Sequence, residues 1–433
     1  MKSLRTLAVA AAGLFAVSGS AHAATEITFW HAMGGQLGET VNTIAKEFNA
    51  SQSDVVLTPV YKGSYEETMT AGIAAFRAGE APNIIQIFDA GAATIINAKG
   101  AVKPVAGLLN EFGTKFNAED YIAGVRYFYA DKDGQMIGMP FNSSTPVLYY
   151  NKAALAKAGV EAPKTWEEFE VAAPKLKAAG YVPLSQSHTP WILSENFHSR
   201  HNLQMANDEN GFDGVATEIM YDNPNMVMMF TKLKSWMDDG LYGYYGTKWN
   251  DNQKPFIDEE VAMWLGSSGS FGGLKASAKF DFGTTYLPYW KSVISEGQRT
   301  FIGGAALFAM SGKTDAEYKA TAEFFAYLTK PETQYFWHRE TGYVPITEAA
   351  YELAKSDGYY DANPDAEVGI QQLSLDGGEW TKGYRLGYYV QIREVLQREY
   401  DKIFSGATSV PDAFKAIKED SDKLLERFAK TVK

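Results

Sequence analysis

The sequence predicts an α/β protein of two lobes, and three observations support this prediction. Strand and helix patterns alternate along the first half of the chain, as they do in repeated βαβ units. The chain has 433 residues, more than one typical hydrophobic core holds. An apolar strand pattern returns late, at residues 301–310, after a long helical stretch. We therefore expect a chain that crosses between its lobes more than once, through short segments that can hinge.

The first elements follow one another in a regular order. A strand at Glu26–Trp30 precedes a helix at Leu37–Phe48, whose apolar residues recur at helical spacing. A second strand at Val55–Val60 precedes a helix at Tyr65–Phe76, which is expected to end near Gly79. Such βαβ units predict a mainly parallel sheet flanked by helices.

A buried strand at Ile84–Phe88 extends this series, and a helix of small residues is predicted from Gly91. Ligands bind parallel sheets beyond the carboxyl ends of their strands. Asp89 lies at one of these ends. A buried carboxylate is costly unless it is hydrogen-bonded, and the hydroxyls of a ligand would satisfy this requirement.

Helical patterns dominate residues 166–300, with long examples at Trp166–Ala179 and Asn223–Asp239. They predict the second lobe. After the late strand, a helix is expected at Asp315–Leu328, and the last long helix, Val410–Phe428, is expected to pack on the second lobe.

The first 23 residues have the pattern of a secretory signal. Lys2 and Arg5 give a charged start, Leu7–Val17 is apolar, and small residues stand at Ala21 and Ala23. We expect cleavage after Ala23 and export to the bacterial periplasm.

Composition excludes several classes of function. The formal net charge of -12 argues against nucleic acid or an anionic membrane surface as the main partner. The chain has no cysteine, which excludes disulfides and thiolate metal sites. Aromatic residues make up 14% of the chain, and they predict either a large core or surfaces that stack on sugars.

Signatures of catalysis are absent from the sequence. No HExxH, G-x-S-x-G or Walker-type motif occurs, and the six histidines lack the spacing of metal ligands. The acidic pairs Asp238-Asp239 and Glu259-Glu260 indicate a solvated face or, less directly, the two carboxylates of a glycosidase. We expect a protein that is not an enzyme and that holds neither a metal nor a cofactor.

Several short motifs are typical of ligand binding, although each also has a purely structural interpretation. The turn Ser267-Ser268-Gly269-Ser270 leads into a predicted helix, so it either binds a small anion or caps that helix. Ser143-Ser144 and Gly303-Gly304 indicate turns or close packing as readily as a ligand site. Arg393 lies in a helical pattern in which a surface ion pair with a glutamate is the simpler interpretation.

Longer motifs give the chain a family resemblance. They are FWHAMGGQLG, YKGSYEETMTAGIAAFRAGEAPNIIQ, FNSSTPVLYYNK, SSGS, IGGAALF, HRETGYVPIT and KGYRLGYYVQIREV. In this order they resemble the periplasmic sn-glycerol-3-phosphate-binding proteins of ABC importers. The YYNK and KTW elements are shared more widely, by extracellular solute-binding proteins that include the maltose-binding type.

The resemblance implies the two-lobed periplasmic binding protein fold, each lobe a mainly parallel sheet flanked by helices, with hinge crossovers. It implies a signal peptide at residues 1–23, an N-terminal lobe at 24–142 and 303–355, and a C-terminal lobe at 143–302 and 356–433. The chain is expected to cross between the lobes about three times.

The resemblance also implies a ligand site in the cleft between the lobes. Two residues, Tyr65 and Asp89, match positions that contact glycerol hydroxyls. The positions that surround the phosphate are matched by Ser144, Ser270, Gly304, Tyr343 and Arg393. Asp89 stands where the family usually has a glutamate, which makes a larger ligand such as glycerophosphocholine an alternative to sn-glycerol-3-phosphate. The segment HTPWILSEN, residues 188–196, matches only loosely, although Trp191 is expected to form a wall of the cleft.

From this resemblance we expect a monomeric receptor that closes on sn-glycerol-3-phosphate or a glycerophosphodiester and delivers it to a membrane permease. A sugar receptor of the same fold is one alternative. A secreted glycoside hydrolase or phosphodiesterase is an alternative from another class.

Overall fold

The computed structural model describes residues 23–432 except 99, 114, 115 and 132. The predicted signal sequence, apart from Ala23, lies outside the described residues. No helix within the described part of the chain is both long enough and apolar enough to cross a bilayer.

Strands in the described residues form two sheets. In chain order they are β1 Thr25–His31, β2 Val55–Tyr61, β3 Ile84–Phe88, β4 Val102–Lys103, β5 Met139–Ser144, β6 Pro146–Asn151, β7 Val182–Gln186, β8 Tyr242–Gly243, β9 Val261–Ser267, β10 Phe282–Tyr286 and β11 Gly303–Met310. The first sheet has the order β2-β1-β3-β11-β4, with β5 also paired to β11. The second has the order β10-β6-β9-β7-β8.

Helices flank both sheets. In chain order they are α1 Gly35–Ser51, α2 Tyr65–Ala78, α3 Ala92–Ile96, α4 Val105–Glu111, α5 Ala123–Arg126, α6 Lys152–Ala158, α7 Trp166–Ala178, α8 Asn196–Arg200, α9 Asn207–Gly211, α10 Pro224–Asp238, α11 Trp249–Ile257, α12 Phe271–Ser277, α13 Asp315–Leu328, α14 Pro331–Thr341, α15 Glu348–Ser356, α16 Tyr359–Ala362, α17 Pro364–Leu373, α18 Tyr389–Phe404 and α19 Val410–Val432. Helices α1, α2 and α13 contact the first sheet, and α7, α11 and α17 contact the second.

Local sequence explains where these helices begin and end. At the start of α2, Ser64 and Glu67 form a reciprocal capping box, which satisfies two backbone N–H groups that have no partner inside the helix. The helix ends at Gly79, whose φ of 76° is a left-handed conformation that glycine adopts without strain. The same kind of box, from Thr314 and Glu317, begins α13. These signals explain why the helices predicted from the sequence are confirmed to within a few residues.

The two-lobed α/β class is confirmed, but the prediction of mainly parallel sheets is wrong in detail. β1 pairs in parallel with β2 and β3, whereas β11 runs antiparallel to β3, β4 and β5. In the second sheet β7 is parallel to β8 and β9, whereas β6 is antiparallel to β9 and β10. Both sheets are mixed because β6 and β11 each begin directly after a segment that arrives from the other sheet, and so run against the βαβ strands.

Two segments join the sheets, and a polar network connects them. The first lies at Thr145, between β5 of the first sheet and β6 of the second. The second leads from β10 to β11 and includes Thr300, whose hydroxyl contacts the hydroxyl of Thr145. Gln372 of α17 donates to Thr145 Oγ1 at 3.0 Å and to Thr300 Oγ1 at 3.2 Å. The third predicted crossing stays a prediction, because it lies among helices and no described strand shows on which side of it the chain changes sheets.

Candidate functional site

A cleft of about 350 Å³ lies where strand ends of the two sheets meet. From the first sheet it receives the ends of β3 and β5 and the start of β11, and from the second sheet the segments that follow β7 and β9. This is the place expected for a ligand in such sheets, beyond the carboxyl ends of parallel strands. All of the site residues predicted from the sequence line it: Tyr65, Asp89, Ser144, Trp191, Ser270, Gly304, Tyr343 and Arg393.

A buried cluster of charges forms one wall of the cleft. Arg393 of α18 donates from Nε to Glu195 Oε1 at 2.7 Å and from Nη2 to Glu195 Oε2 at 2.8 Å. Its third nitrogen, Nη1, lies 2.8 Å from Asp89 Oδ1. The exposed fractions are 0% for Glu195, 6% for Asp89 and 9% for Arg393. The surface ion pair that the sequence favoured for Arg393 is therefore replaced by a buried one.

Glu195 holds the guanidinium in a fixed orientation. The bidentate pairing occupies two nitrogens of Arg393, and the hydroxyl of Tyr384 donates to Glu195 Oε2 at 2.8 Å. Burial raises the pKa of Glu195, although Arg393 opposes this shift. Burial alone would lower the pKa of Arg393, but Asp89 and then Glu195 outweigh it, so this pKa lies well above its usual value. Arg393 is thus a permanent cation in the cleft.

Asp89 contacts donors that the resemblance assigns to the phosphate. Its Oδ1 accepts from its neighbour Ala90 N–H at 2.5 Å as well as from Arg393, and its Oδ2 accepts from Gly304 N–H at 3.3 Å. The predicted hydroxyl-binding and phosphate-binding residues therefore lie in contact rather than at opposite ends of the cleft. With both carboxylates ionised, the cluster carries one negative charge more than positive.

Two tyrosines whose rings stack on other aromatic side chains line the cleft. The ring of Tyr65 stacks on Phe88 with centroids 5.3 Å apart, and its hydroxyl accepts from Asn142 Nδ2 at 2.7 Å. Tyr343 stacks on Trp337, with 2° between the ring planes. Burial first, and then the neighbouring Tyr343, raise the pKa of Tyr65 well above its usual value, so this phenol stays protonated and can donate.

The two glycines at the start of β11 are required by close packing. The indole of Trp191 lies against Gly303, where a Cβ would overlap it. Gly304 has φ of 105° and faces the carbonyl oxygen of Asn142, so a side chain there would meet both strain and a clash. The packing interpretation of this pair is correct, and it brings a backbone N–H and an aromatic wall into the cleft.

The serine-rich turn after β9 divides its hydroxyls between structure and cleft. Ser267 accepts from Gly269 N–H at 3.1 Å, and Ser268 accepts from Thr145 N–H at 3.2 Å, which ties the turn to the crossing segment. Ser270 lines the cleft, as does Ser144 from the end of β5. Ser267 also lines the cleft, so the capping interpretation is correct for this turn, and anion binding stays a prediction.

Sequence reasoning missed Glu195, His188 and Trp249. Glu195 and His188 lie in the loosely matching segment 188–196, and no local pattern indicates that Glu195 pairs with an arginine 198 residues away. Trp249 begins α11 and lines the cleft from the second sheet's side. Its position as the first residue of a helix carries no functional signal.

The residues considered for catalysis or metal binding lie elsewhere. Glu259 and Glu260 are exposed on the turn before β9, and Asp238 pairs with Lys234 on the surface of α10. Neither pair lines the cleft. Within the described ranges, no group of histidine and acidic side chains has the arrangement of a metal site. His198 lies in α8.

A second concavity, the apolar groove, has a different character. It has a volume of about 440 Å³ and lies between α2, α3 and the end of α19. Its lining includes Met69, Ile73, Phe76, Ile95, Phe428 and Val432.

Comparison with known proteins agrees with the resemblance seen in the sequence. The profile of the bacterial extracellular solute-binding proteins matches residues 43–367. The chain is 40% identical to the sn-glycerol-3-phosphate-binding periplasmic protein UgpB of Pectobacterium atrosepticum, over 100% of this chain and 98% of that protein. It is likewise 40% identical to UgpB of Salmonella typhimurium, with 100% of both chains covered.

Solved structures share the fold at lower identity. UgpB from Mycobacterium tuberculosis in complex with glycerophosphocholine superposes with a TM-score of 0.77 at 22% identity, over 93% of this chain and 99% of that one. Maltose-bound MalE3 of T. maritima superposes with a TM-score of 0.76 at 18% identity, over 93% and 100%.

Proposed function

This chain belongs to the bacterial extracellular solute-binding proteins, and from that premise we propose that it captures a glycerol phosphate ester in the cleft and delivers it to an ABC importer. The ligand is sn-glycerol-3-phosphate or a glycerophosphodiester such as glycerophosphocholine. Full-length identity of about 40% to relatives named for sn-glycerol-3-phosphate supports the class of ligand.

One observation in the structure carries the proposal, the guanidinium of Arg393 fixed at the cleft. Glu195 pairs with two of its nitrogens, and Nη1 pairs with Asp89. Ser144 and Ser270 line the same cleft. A permanent cation with hydroxyl-bearing side chains in the same cleft suits a phosphoryl group, which offers several acceptor oxygens.

The charge of the cluster favours a phosphoryl group with a single negative charge. Arg393 is already shared between Asp89 and Glu195, so a dianionic monoester would add two charges beside an excess negative one. A diester adds only one. We infer that a glycerophosphodiester, or the singly protonated monoester, fits the cleft better than the dianion.

The proposal includes the place and mode of action of the protein. The relatives named above are periplasmic, and the predicted signal at residues 1–23 is consistent with export. The lobes, at 24–142 with 303–355 and at 143–302 with 356–433, close about the crossing segments. The closed monomer then docks on the permease subunits of the importer, and it binds its ligand without transforming it.

A neutral-sugar receptor is the second candidate, because Trp191 and Trp249 line the cleft and indole rings stack on sugars. Isothermal titration of the mature protein with sn-glycerol-3-phosphate, glycerophosphocholine and maltose in parallel separates the two. We expect saturable heat from at least one phosphate ester and none from maltose. Saturable binding of maltose alone would overturn the proposal.

A further inference from the structure

We propose that His188 contacts the ligand directly and donates its Nε2–H to a phosphoryl oxygen, as a neutral partner of Arg393. This inference rests on the proposed function and adds a recognition residue to the same cleft. It makes His188 a determinant of specificity, since its hydrogen bond selects a phosphoryl acceptor without adding charge.

The position of His188 supports direct contact. It follows the carboxyl end of β7 by two residues and lines the cleft together with Trp191 and Arg393. Its carbonyl accepts from Trp191 N–H and Ile192 N–H, both at 3.1 Å, so it begins the helical turn that carries Trp191 and Glu195. The ring is therefore anchored to the same turn that orients the guanidinium.

The hydrogen bonds of the ring assign its tautomer. Trp191 N–H also donates to His188 Nδ1, at 3.3 Å. A nitrogen that accepts from a backbone N–H carries no proton, so in the neutral imidazole the proton is on Nε2. None of the described protein groups pairs with this Nε2–H. It is left as the edge of the ring that a ligand in the cleft can reach.

The buried histidines of the described residues can be compared with His188. His31, which is 2% exposed, has a similar pattern, since its Nδ1 accepts from Met33 N–H at 3.2 Å, but it does not line the cleft. The other three are paired at both ring nitrogens. His198 pairs its two ring nitrogens with Ser194 O and Asn223. His201 pairs with Phe197 O and Trp290 N–H. His338 does the same with protein groups at both nitrogens. These three rings are fully used by the fold, whereas His188 keeps one donor for the cleft.

The backbone of His188 supports the same conclusion. Its φ of 51° is in the left-handed region, which costs free energy for a residue other than glycine. Such strain persists where the surrounding structure imposes it, and it is concentrated at binding sites. The same conformation occurs away from the cleft at Glu259 and Tyr388, so it supports a use for the ring only together with the position of His188 in the cleft.

The surrounding charges explain why a neutral donor suits this position. Burial, and then Arg393, lower the pKa of His188 to about 3, so the ring is uncharged at any pH near neutrality. A second cation would compete with Arg393 for Asp89 and Glu195. A neutral N–H instead bonds only to an acceptor that the ligand brings.

The test compares the wild type with His188→Gly, which removes the ring and relieves the backbone strain. The Kd for glycerophosphocholine and for sn-glycerol-3-phosphate is measured by isothermal titration. We expect the Kd of the ester that the wild type binds to rise by roughly tenfold or more, as for a lost hydrogen bond to a charged group. His188→Asn, which tolerates the left-handed conformation and keeps an N–H donor, is expected to recover part of the affinity.

A matched control is Glu259→Gly, at another left-handed residue with φ of 63°, exposed on the turn before β9. It should leave the Kd unchanged. The proton on Nε2, followed by ¹⁵N-edited NMR of the histidine ring, should shift downfield and exchange slowly once ligand saturates the protein.

Each failure has a separate meaning. If the wild type binds an ester and His188→Gly binds it equally well, the role of His188 is refuted and the proposed function stands. If the wild type binds neither ester, the proposed function fails, and this inference fails with it.

Discussion

The cleft and the apolar groove are both concave, yet of the two only the cleft has a buried cluster of charges in its wall. The cleft buries Asp89, Glu195 and Arg393 and holds His188 in a strained backbone conformation. The groove is lined by side chains of α2 and α19 that simply pack, with Ile73 and Phe76 left 37% and 38% exposed. Backbone strain occurs in both, since Tyr388 of the groove has φ of 51°. Charge burial has to be maintained by the rest of the fold, and it marks the cleft as the candidate site where size and apolar character do not.

This contrast also separates what each region contributes. A residue of the groove contributes to stability through apolar contact, and its loss should leave ligand affinity alone. A residue of the charged cluster contributes to ligand affinity. Its loss also leaves its partner as a buried, unpaired charge, which lowers the free energy of unfolding.

Arg393→Ala is expected to have the largest effect. It removes the one cation of the cluster, so the phosphate ester loses its charged partner and its affinity should fall by roughly a hundredfold or more. Asp89 and Glu195 are left buried without a counter-charge, so the free energy of unfolding should fall by about 3–5 kcal/mol. Titration calorimetry and denaturant unfolding measure the two effects.

Arg393→Lys is the matched control for that change. It keeps the charge but loses the planar fork that pairs with both oxygens of Glu195. We expect a loss of affinity between those of the wild type and Arg393→Ala. Unaltered binding by Arg393→Ala, in protein shown to be folded, would remove Arg393 from the site.

Phe428→Ala tests the groove. Phe428 is 4% exposed and packs edge-on against Tyr388, with ring centroids 5.3 Å apart. Its truncation should lower the free energy of unfolding by roughly 3 kcal/mol, the lower end for such a change, because the groove is open on one side. The Kd for the ester should stay within experimental error. A large change in Kd at constant fold would mean that the groove takes part in binding.

The sequence alone predicts most of the helices and strands. It predicts the residues of the candidate site only through the motifs that carry the family resemblance. The capping boxes, Gly79 and the apolar run of β3 are local signals, and the elements that they specify are confirmed. The strands β7 and β10 have five residues each and lie in a stretch dominated by helical patterns, which is why their sheet could not be assigned strand by strand.

The centre of the site is not local. Arg393 meets Glu195 across 198 residues of chain, and Asp89 meets Gly304 across 215. No periodicity or motif spacing predicts contacts between residues that are so far apart along the chain. The tautomer of His188 depends on a backbone bend, and the local sequence HTPW does not predict that bend. The polar residues of the cleft could be predicted from the sequence, but which of them pair with one another could be seen only in the structure.

Asp89→Asn probes the charge of the cluster with a smaller expected effect. It keeps the size of the side chain, removes one negative charge beside Arg393 and leaves Glu195 to orient the guanidinium. The affinity for dianionic sn-glycerol-3-phosphate should therefore improve relative to glycerophosphocholine by about tenfold. Parallel titrations at pH 7.5 give this ratio. An unchanged ratio would show that Asp89 does not discriminate by charge.

The pH dependence of the wild type is expected to give the smallest effect. The second ionisation of a phosphate monoester has a pKa of about 6, so lowering the pH from roughly 7.5 to 5.5 converts most of the dianion to the preferred monoanion. The affinity for sn-glycerol-3-phosphate should rise several-fold relative to that for the diester, whose charge is constant.

Titration of His188 does not account for this change, because its pKa is lowered to about 3 and the ring stays neutral over the range. The pKa of Glu195 is raised by burial, and proton uptake there would remove one negative charge from the cluster. It would therefore shift the ratio of affinities in the same direction, toward the monoester. A ratio that stays constant, or moves toward the diester as the pH falls, would contradict the preference for a single negative charge.

The most direct test of the account is a crystal structure of the mature protein with glycerophosphocholine bound. We expect the phosphoryl group in the cleft, with oxygens at hydrogen-bond distance from Arg393 Nη1, from the hydroxyls of Ser144 and Ser270, and from His188 Nε2. A ligand in the apolar groove, or one whose phosphoryl group makes no contact with Arg393, would contradict it.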